Sequence, residues 1–386
     1  MYLSLTFNRI RMAVSHNPRQ SKIVFINRRL FALTGAIITA LLGSTVYARA
    51  GGTSGSVFPN PGLTNPRMKF NTGKVVKGTP QFSPLLPNIR GPLSGWCVWM
   101  AHRSEYLNGS EMVRNDEKLK DAKFGPAAYA FIAPNHNARL AIYRNHTAHR
   151  WVYDLFERNG PLDPDGGANL FLMANARSGH FTMNHPVVYN LWAKISQAHI
   201  RYYNSSAEKS GAVLAQVFSG FILKFHSRNP RQRITLFMQI HMADSRPWMG
   251  TTGGITDEQG TWNPAGAVLI TDMAPSGGYP FRFRPDGGPL HHLHYLLNGF
   301  LSKILAAPPP LCRRTDGSVH HLKFTNRMKN LKNWTLNSMY VGLETENRDY
   351  RPGVRDHQPQ GSVEAALQLS DLSVIAEPQH ISPSAK

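Results

Sequence analysis

The sequence predicts an α/β fold, a mixed and mostly parallel sheet flanked by helices, behind a loop-rich N-terminal leader and ahead of a flexible C-terminal tail. Two observations carry this expectation. Short apolar runs stand at 96–100, 170–174, 234–241, 267–273 and 339–343, each bounded by polar or turn-forming residues, and read as strands. Longer amphipathic stretches at 149–157, 186–202, 207–226 and 289–305 alternate with them and read as helices. Strands separated by helices imply a substantially parallel sheet, with functional loops just past the carboxyl ends of the strands. At 41% hydrophobic residues the 386-residue chain can bury a full core.

The chain divides by composition into an export signal at 1–50, a loop-rich leader at 51–93, the main domain at 94–350 and a flexible tail at 351–386. Residues 1–50 hold seven basic side chains and no acidic one, and 30–48 carry no charge before the small-residue sequence Ala48-Arg49-Ala50. A basic start, an apolar middle and a small-x-small end describe an export signal. Arg28-Arg29 followed by Leu30 and Phe31 resembles a twin-arginine signal. The resemblance implies a periplasmic or secreted protein, with no stable membrane span unless the signal is retained as an anchor. Pro352, Pro359, Pro378 and Pro383 mark the tail.

The whole chain has 43 Lys and Arg against 23 Asp and Glu, a formal charge of +20. Without residues 1–50 the basic count is 36 and the net charge +13. Such a surface is expected to meet an anionic cell-envelope polymer or a peptide substrate, and nucleic acid is not an expected partner for an exported chain. Two cysteines, Cys97 and Cys312, exclude a disulfide-stapled scaffold or a zinc ribbon.

Reactive side chains follow four of the expected strands. His102 and Glu105 stand after 96–100 at the spacing of two ligands to one cation, and the run 234–241 ends in His241. Three protein ligands leave one position for a water whose pKa the metal lowers. The expected zinc ligands are therefore His102, Glu105 and His241. Glu344, at the end of 339–343, is the expected catalytic acid/base, with Glu346 on the same face of the strand as its competitor.

The order His102-x-x-Glu105, Pro164-Asp165-Gly166, Asn184, His241, Glu344 resembles that of the zinc carboxypeptidases. That resemblance implies an α/β/α fold around one zinc and cleavage of peptides from their C-terminal end. It also implies substrate binding by Asn184 and His185, where the family has Asn-Arg. The functional expectation is thus an exported metal-dependent hydrolase acting on peptide or cell-wall material. Its first alternative is a non-enzymatic basic envelope-associated or assembly protein. A second alternative uses other residues. His149-Arg150 with Phe156-Glu157, and His291-His292 with His294, resemble the copper-binding helices of tyrosinase-type proteins, which implies a histidine-ligated copper oxidoreductase.

Overall fold

The computed structural model describes residues 55–76, 79–84, 91–102, 113–114, 129–132, 138–145, 147–160, 167–177, 181–210, 212–246, 253–314, 317–347 and 359–377. Residues 1–50, on which the export reading rests, and Glu105 lie outside them.

The chain folds into two large sheets. The first runs in the order β16 (His291–Leu296), β11 (Val187–Tyr202), β20 (Gly361–Ala376), β8 (Arg150–Asn159), β7 (Ala138–Asn145), β6 (Tyr129–Ile132) and β5 (Val113–Arg114), with β1 (Gly55–Ser56) also paired to β20. The second runs β18 (Val319–His321), β17 (Leu311–Arg314), β14 (Gly254–Asn263), β15 (Gly266–Ala274), β13 (Ile234–Asp244), β12 (Leu214–Phe225), β19 (Trp334–Glu346), β9 (Gly167–Asn175), β4 (Trp96–His102), β2 (Lys69–Val76) and β3 (Thr79–Pro84), with β10 (Phe181–Thr182) on β19. Helices are short: α1 (Ser205–Ser210), α2 (Leu297–Ala306) and α3 (Asn326–Lys329).

This architecture corrects the α/β expectation. All five expected strands lie within observed strands, but 150–157, 187–202 and most of 207–226 are strands as well. Of the fourth expected helix, only the part from Leu297 onward is helical. The reason is visible in β11, where buried positions alternate with half-exposed ones through 189–195 while Val, Tyr, Trp and Ile supply the β-forming bulk. Nearly all ladders are antiparallel; among the described residues only β13–β15, β14–β17 and β2–β4 are parallel. The tail is also corrected. Gly361–Ala376 is a sixteen-residue strand inside the first sheet, hydrogen-bonded to β11 and β8. The leader is partly strand too, since Gly55–Ser56 and Lys69–Val76 join the two sheets.

The inner faces of the two sheets pack on one another. Leu155, Tyr189, Leu191, Ile195 and Leu367 of the first sheet share a core with Phe221, Leu236, Met238, Val341 and Leu343 of the second. The Tyr189 hydroxyl crosses between the sheets to Ser219 Oγ at 2.6 Å, so the one polar pair at this point is satisfied within the core.

The second sheet is not a simple amphipathic layer. Its outer face carries a separate buried cluster of Trp99, Phe171, Met173, Phe218, Ile222, Phe237, Ile270 and Tyr340. Alternation along each strand sends one set of residues into the inter-sheet core and the other into this outer cluster. The outer face also holds most of the reactive groups of the second sheet.

Candidate functional site

Register places the reactive residues. Across one row, Asn169 on β9 pairs with Glu344 on β19, Glu344 with Gln216 on β12, and Gln216 with Asp244 on β13. In the next row Phe171, Gly342, Phe218 and His241 are neighbours. One row further, Tyr340, Gly220, Gln239, Asp272 and Asp257 run from β19 to β14. All of these positions belong to the outer face.

Two β-bulges are essential to that gathering. On an unbroken strand, residues three apart face opposite sides, so His241 and Asp244 would be separated by the sheet. The register shift between Val217 and Phe218 of β12 places the extra residue in β13 at Met242, whose side chain stays in the core. Beyond it, Asp244 returns to the face of His241. A second shift, between Ile255 and Asp257, does the same for Asp257 opposite Asp272. Bulges commonly re-aim a side chain in this way.

The His241 ring lies between two carboxylates. Its Nδ1 is 3.8 Å from Asp244 Oδ2 and its Nε2 is 3.4 Å from Asp272 Oδ1. Neither ring nitrogen makes a hydrogen bond within the described residues, although the residue is almost wholly buried. Phe218 stacks on the ring, centroids 5.2 Å apart and planes 15° from parallel. Gln239 Nε2 donates to the Tyr340 hydroxyl at 2.7 Å. Tyr340 itself stands edge-on to both Phe171 and Phe218.

Asp244 is anchored on its other side. Arg246 Nη2 reaches Oδ2 at 2.6 Å and Nε reaches Oδ1 at 3.0 Å, while Gln216 Nε2 donates to Oδ2 at 2.7 Å. Burial pushes the Asp244 carboxyl upward, but the Arg246 charge and these hydrogen bonds outweigh it and hold the pKa below the ordinary aspartate value. Asp257 is displaced the other way: burial raises it first, and the neighbouring Asp272 charge adds to the rise. The face therefore carries one carboxyl held ionised and another biased toward its protonated form. Such a separation is the arrangement acid–base chemistry requires.

Of the expected site residues, the structure brings Glu344 and His241 onto the same face, two strands apart. At strand spacing that is about 10 Å. Position 102 falls in the register row of Ala168 and Thr345, not that of Phe218 and His241, so alternation puts the two histidine positions on opposite faces of the sheet. Asn184 and His185 sit near the far end of β19: Met183 N donates to the Trp334 carbonyl and the His185 carbonyl accepts from Asn298. They are about 33 Å along the strand from Glu344.

Glu105, the third expected zinc ligand, lies outside the described residues. Among the described residues no group of three or more His, Cys, Asp or Glu is placed to hold a metal ion. The metal-dependent hydrolase expectation and the resemblance to zinc carboxypeptidases are both overturned, since that family's α/β/α frame is replaced by two mostly antiparallel sheets. The copper expectation fails for a similar reason. His149 occupies a turn before β8 and His291, His292 and His294 lie on β16, so neither stretch offers helical histidine spacing. Asp257, Gln239 and Tyr340 carry no signal in the sequence that singles them out.

No protein-family model and no curated protein matches the chain. Among solved structures, the family 11 xylanase from Neocallimastix patriciarum is similar at 7% identity and a TM-score of 0.31, over 72% of this chain and 100% of the xylanase. A loop-swap mutant of the same xylanase gives 6% identity and 0.31 over the same shares. A thermostable cellulase derived from Cel12A of Rhodothermus marinus gives 10% identity and 0.28, over 64% of this chain and 95% of the cellulase.

Proposed function

We propose that the protein is a carbohydrate-active enzyme that cleaves glycosidic bonds of a polysaccharide by general acid–base catalysis on the outer face of its second sheet. The observation that supports this is the His241 imidazole between Asp244 and Asp272, on a bed of aromatic rings, beside a carboxyl with a raised pKa. Glycoside cleavage needs an acid to protonate the leaving oxygen and a base or nucleophile on the other side of the bond. In this reading Asp257 donates the proton. His241 accepts one from the attacking water, and Asp244, kept ionised by Arg246, stabilises the imidazolium that results. Phe218 fixes the plane of the imidazole, and Glu344 and Gln216 extend the polar row along which a chain of sugars would lie. The positive balance of the chain favours an anionic polymer, and an exported location for the protein belongs to the same proposal.

The Tyr340 hydroxyl favours a second reading for polymers that contain uronic acids. There the proton next to the carboxylate can be removed and the glycosidic oxygen expelled without water, leaving an unsaturated sugar end. Tyr340 and His241 lie on the same face, and Gln239, two residues before His241 on β13, donates to the Tyr340 hydroxyl, so the two are suited to the two proton transfers. One experiment separates these readings. The protein is incubated with neutral and uronate polysaccharides while new reducing ends and ultraviolet-absorbing unsaturated ends are both measured. Reducing ends alone support hydrolysis, both together support elimination, and neither product on any polymer contradicts the proposal.

A further inference from the structure

The positive charge of the described chain is concentrated at the end of the sandwich remote from His241. Strands β12, β13, β15 and β19 all run between two ends. At one lie Glu344, Asp244 and Asp272; at the other lie the β12–β13 loop, the β17–β18 ribbon and α3 with the turn after it. Residues 224–233, 311–314 and 317–333, which build this second end, contain ten Lys and Arg and no Asp or Glu. Arg228, Arg231, Arg233, Arg327, Lys329 and Lys332 are all exposed. Among the described residues none of these six has an ion-pair partner, whereas Arg139, Arg150 and Arg246 each meet an aspartate.

Several of these cations are held in place. The Arg233 Nε–H donates to the Ser227 carbonyl at 3.1 Å, and the Arg327 guanidinium lies 5.6 Å from the centre of the Phe225 ring. Asn229 caps the short turn that carries Arg231. Fixing them costs little further entropy on binding. Next to them a cleft of about 440 Å³ opens between Met183, Asn184, Leu331, Lys329 and Lys332. That volume suits one or two sugar units.

We infer that this end is a second binding surface, separate from the acid–base face, and that it takes an anionic polysaccharide. Its location stands on the charges and the cleft alone. The choice of a polysaccharide over another polyanion rests on the function proposed above. A polymer held here would span the length of the sheet, about 33 Å from the reactive row at 3.3 Å per residue, and so keep a long chain near His241 between cleavage events.

The test uses polygalacturonate and a sulfated glycan, immobilised, with the full-length protein in three forms. These are the wild type, a triple variant Arg228→Glu, Arg231→Glu and Arg233→Glu, and a double variant Lys329→Glu and Lys332→Glu. All five positions are exposed, and thermal melting of each variant checks that the fold survives. The expected result is binding at low salt that weakens by about tenfold or more in both variants and is lost as salt rises, with cleavage of short oligosaccharides unchanged. Equal binding by wild type and both variants would overturn the inference. So would wild-type binding only to anionic vesicles or DNA, run in parallel, with none to either glycan. Binding is also measured on His241→Ala, so a failure of the catalytic proposal cannot be mistaken for a failure of this one.

Discussion

His241 is a buried imidazole whose two nitrogens face carboxylates without a hydrogen bond to either in the described residues. Its partner Asp244 has its negative charge matched by Arg246, and removing either member leaves an uncompensated buried group. Asp244→Ala is predicted to destabilise the protein by about 3 kcal/mol, read from denaturant midpoints. Because the folded pKa of Asp244 lies below its unfolded value, this contribution is full above about pH 4. It is lost as pH falls through the folded value. Glu157 and Glu258 behave in the opposite sense. Glu157, wholly buried with Oε1 lacking a hydrogen-bond partner among the described residues, is raised well above the ordinary glutamate value, chiefly by burial and then by the Glu344 charge. Burial likewise pushes Glu258 up to about 7. For both, the folded state binds more protons than the unfolded state above pH 4.5, so stability declines as pH rises from there, for Glu258 up to about pH 7. Melting temperatures from pH 5 to 7 should therefore fall, and Glu157→Gln and Glu258→Gln should each flatten that slope; an unchanged slope in both would contradict the assignment. At this scale His241 and Glu344 were legible from the sequence because each closes an apolar run. The carboxyl neighbours of His241 were not, since their approach depends on pairing between strands far apart in the chain.

Among the elements, the outer face depends on close passage of strands as much as on bulges. Gly220 lies across from Tyr340, and a Cβ there would stand 2.0 Å from the ring. Gly220→Ala must therefore displace Tyr340, break its hydrogen bond from Gln239 and disturb Phe171 and Phe218. The expected cost is about 1–3 kcal/mol, with activity falling further than stability alone explains; full activity in a stable variant would contradict this role for Tyr340. The five shortest strand signals were legible because apolar runs bounded by turn residues have few other readings. The segments taken as helices were not, and β12 shows why. It is buried at all but one of its twelve positions, facing the inter-sheet core on one side and the aromatic cluster on the other. A strand covered on both faces shows no alternation, and its apolar content fits a packed helix equally well. The two bulges left no mark at all, because an extra residue in a strand is ordinary sequence.

For the whole molecule, the arrangement is polar: a carboxylate-rich face toward one end of the second sheet and a basic surface at the other, six of whose exposed cations have no ion-pair partner among the described residues. Composition showed the excess charge but not its placement, which follows from strand directions. The cysteines also became legible only at this scale. Cys97 on β4 and Cys312 on β17 are free thiols, seven strands apart in one sheet, or about 34 Å at strand spacing. Thiol-reducing agents should accordingly leave the melting temperature unchanged, and a shift of several degrees would mean that a disulfide forms. The proposed catalysis rests on acid–base chemistry by His241 on a polysaccharide. The most direct measurement is the initial rate of new chain ends released from a polyuronate and a neutral glucan, by wild type and by His241→Ala, with melting temperatures taken alongside. Cleavage of at least one polymer by wild type is expected, with a loss of about 100-fold or more in a variant that remains folded. Release of chain ends by the variant at the wild-type rate, or no release by wild type, would contradict it.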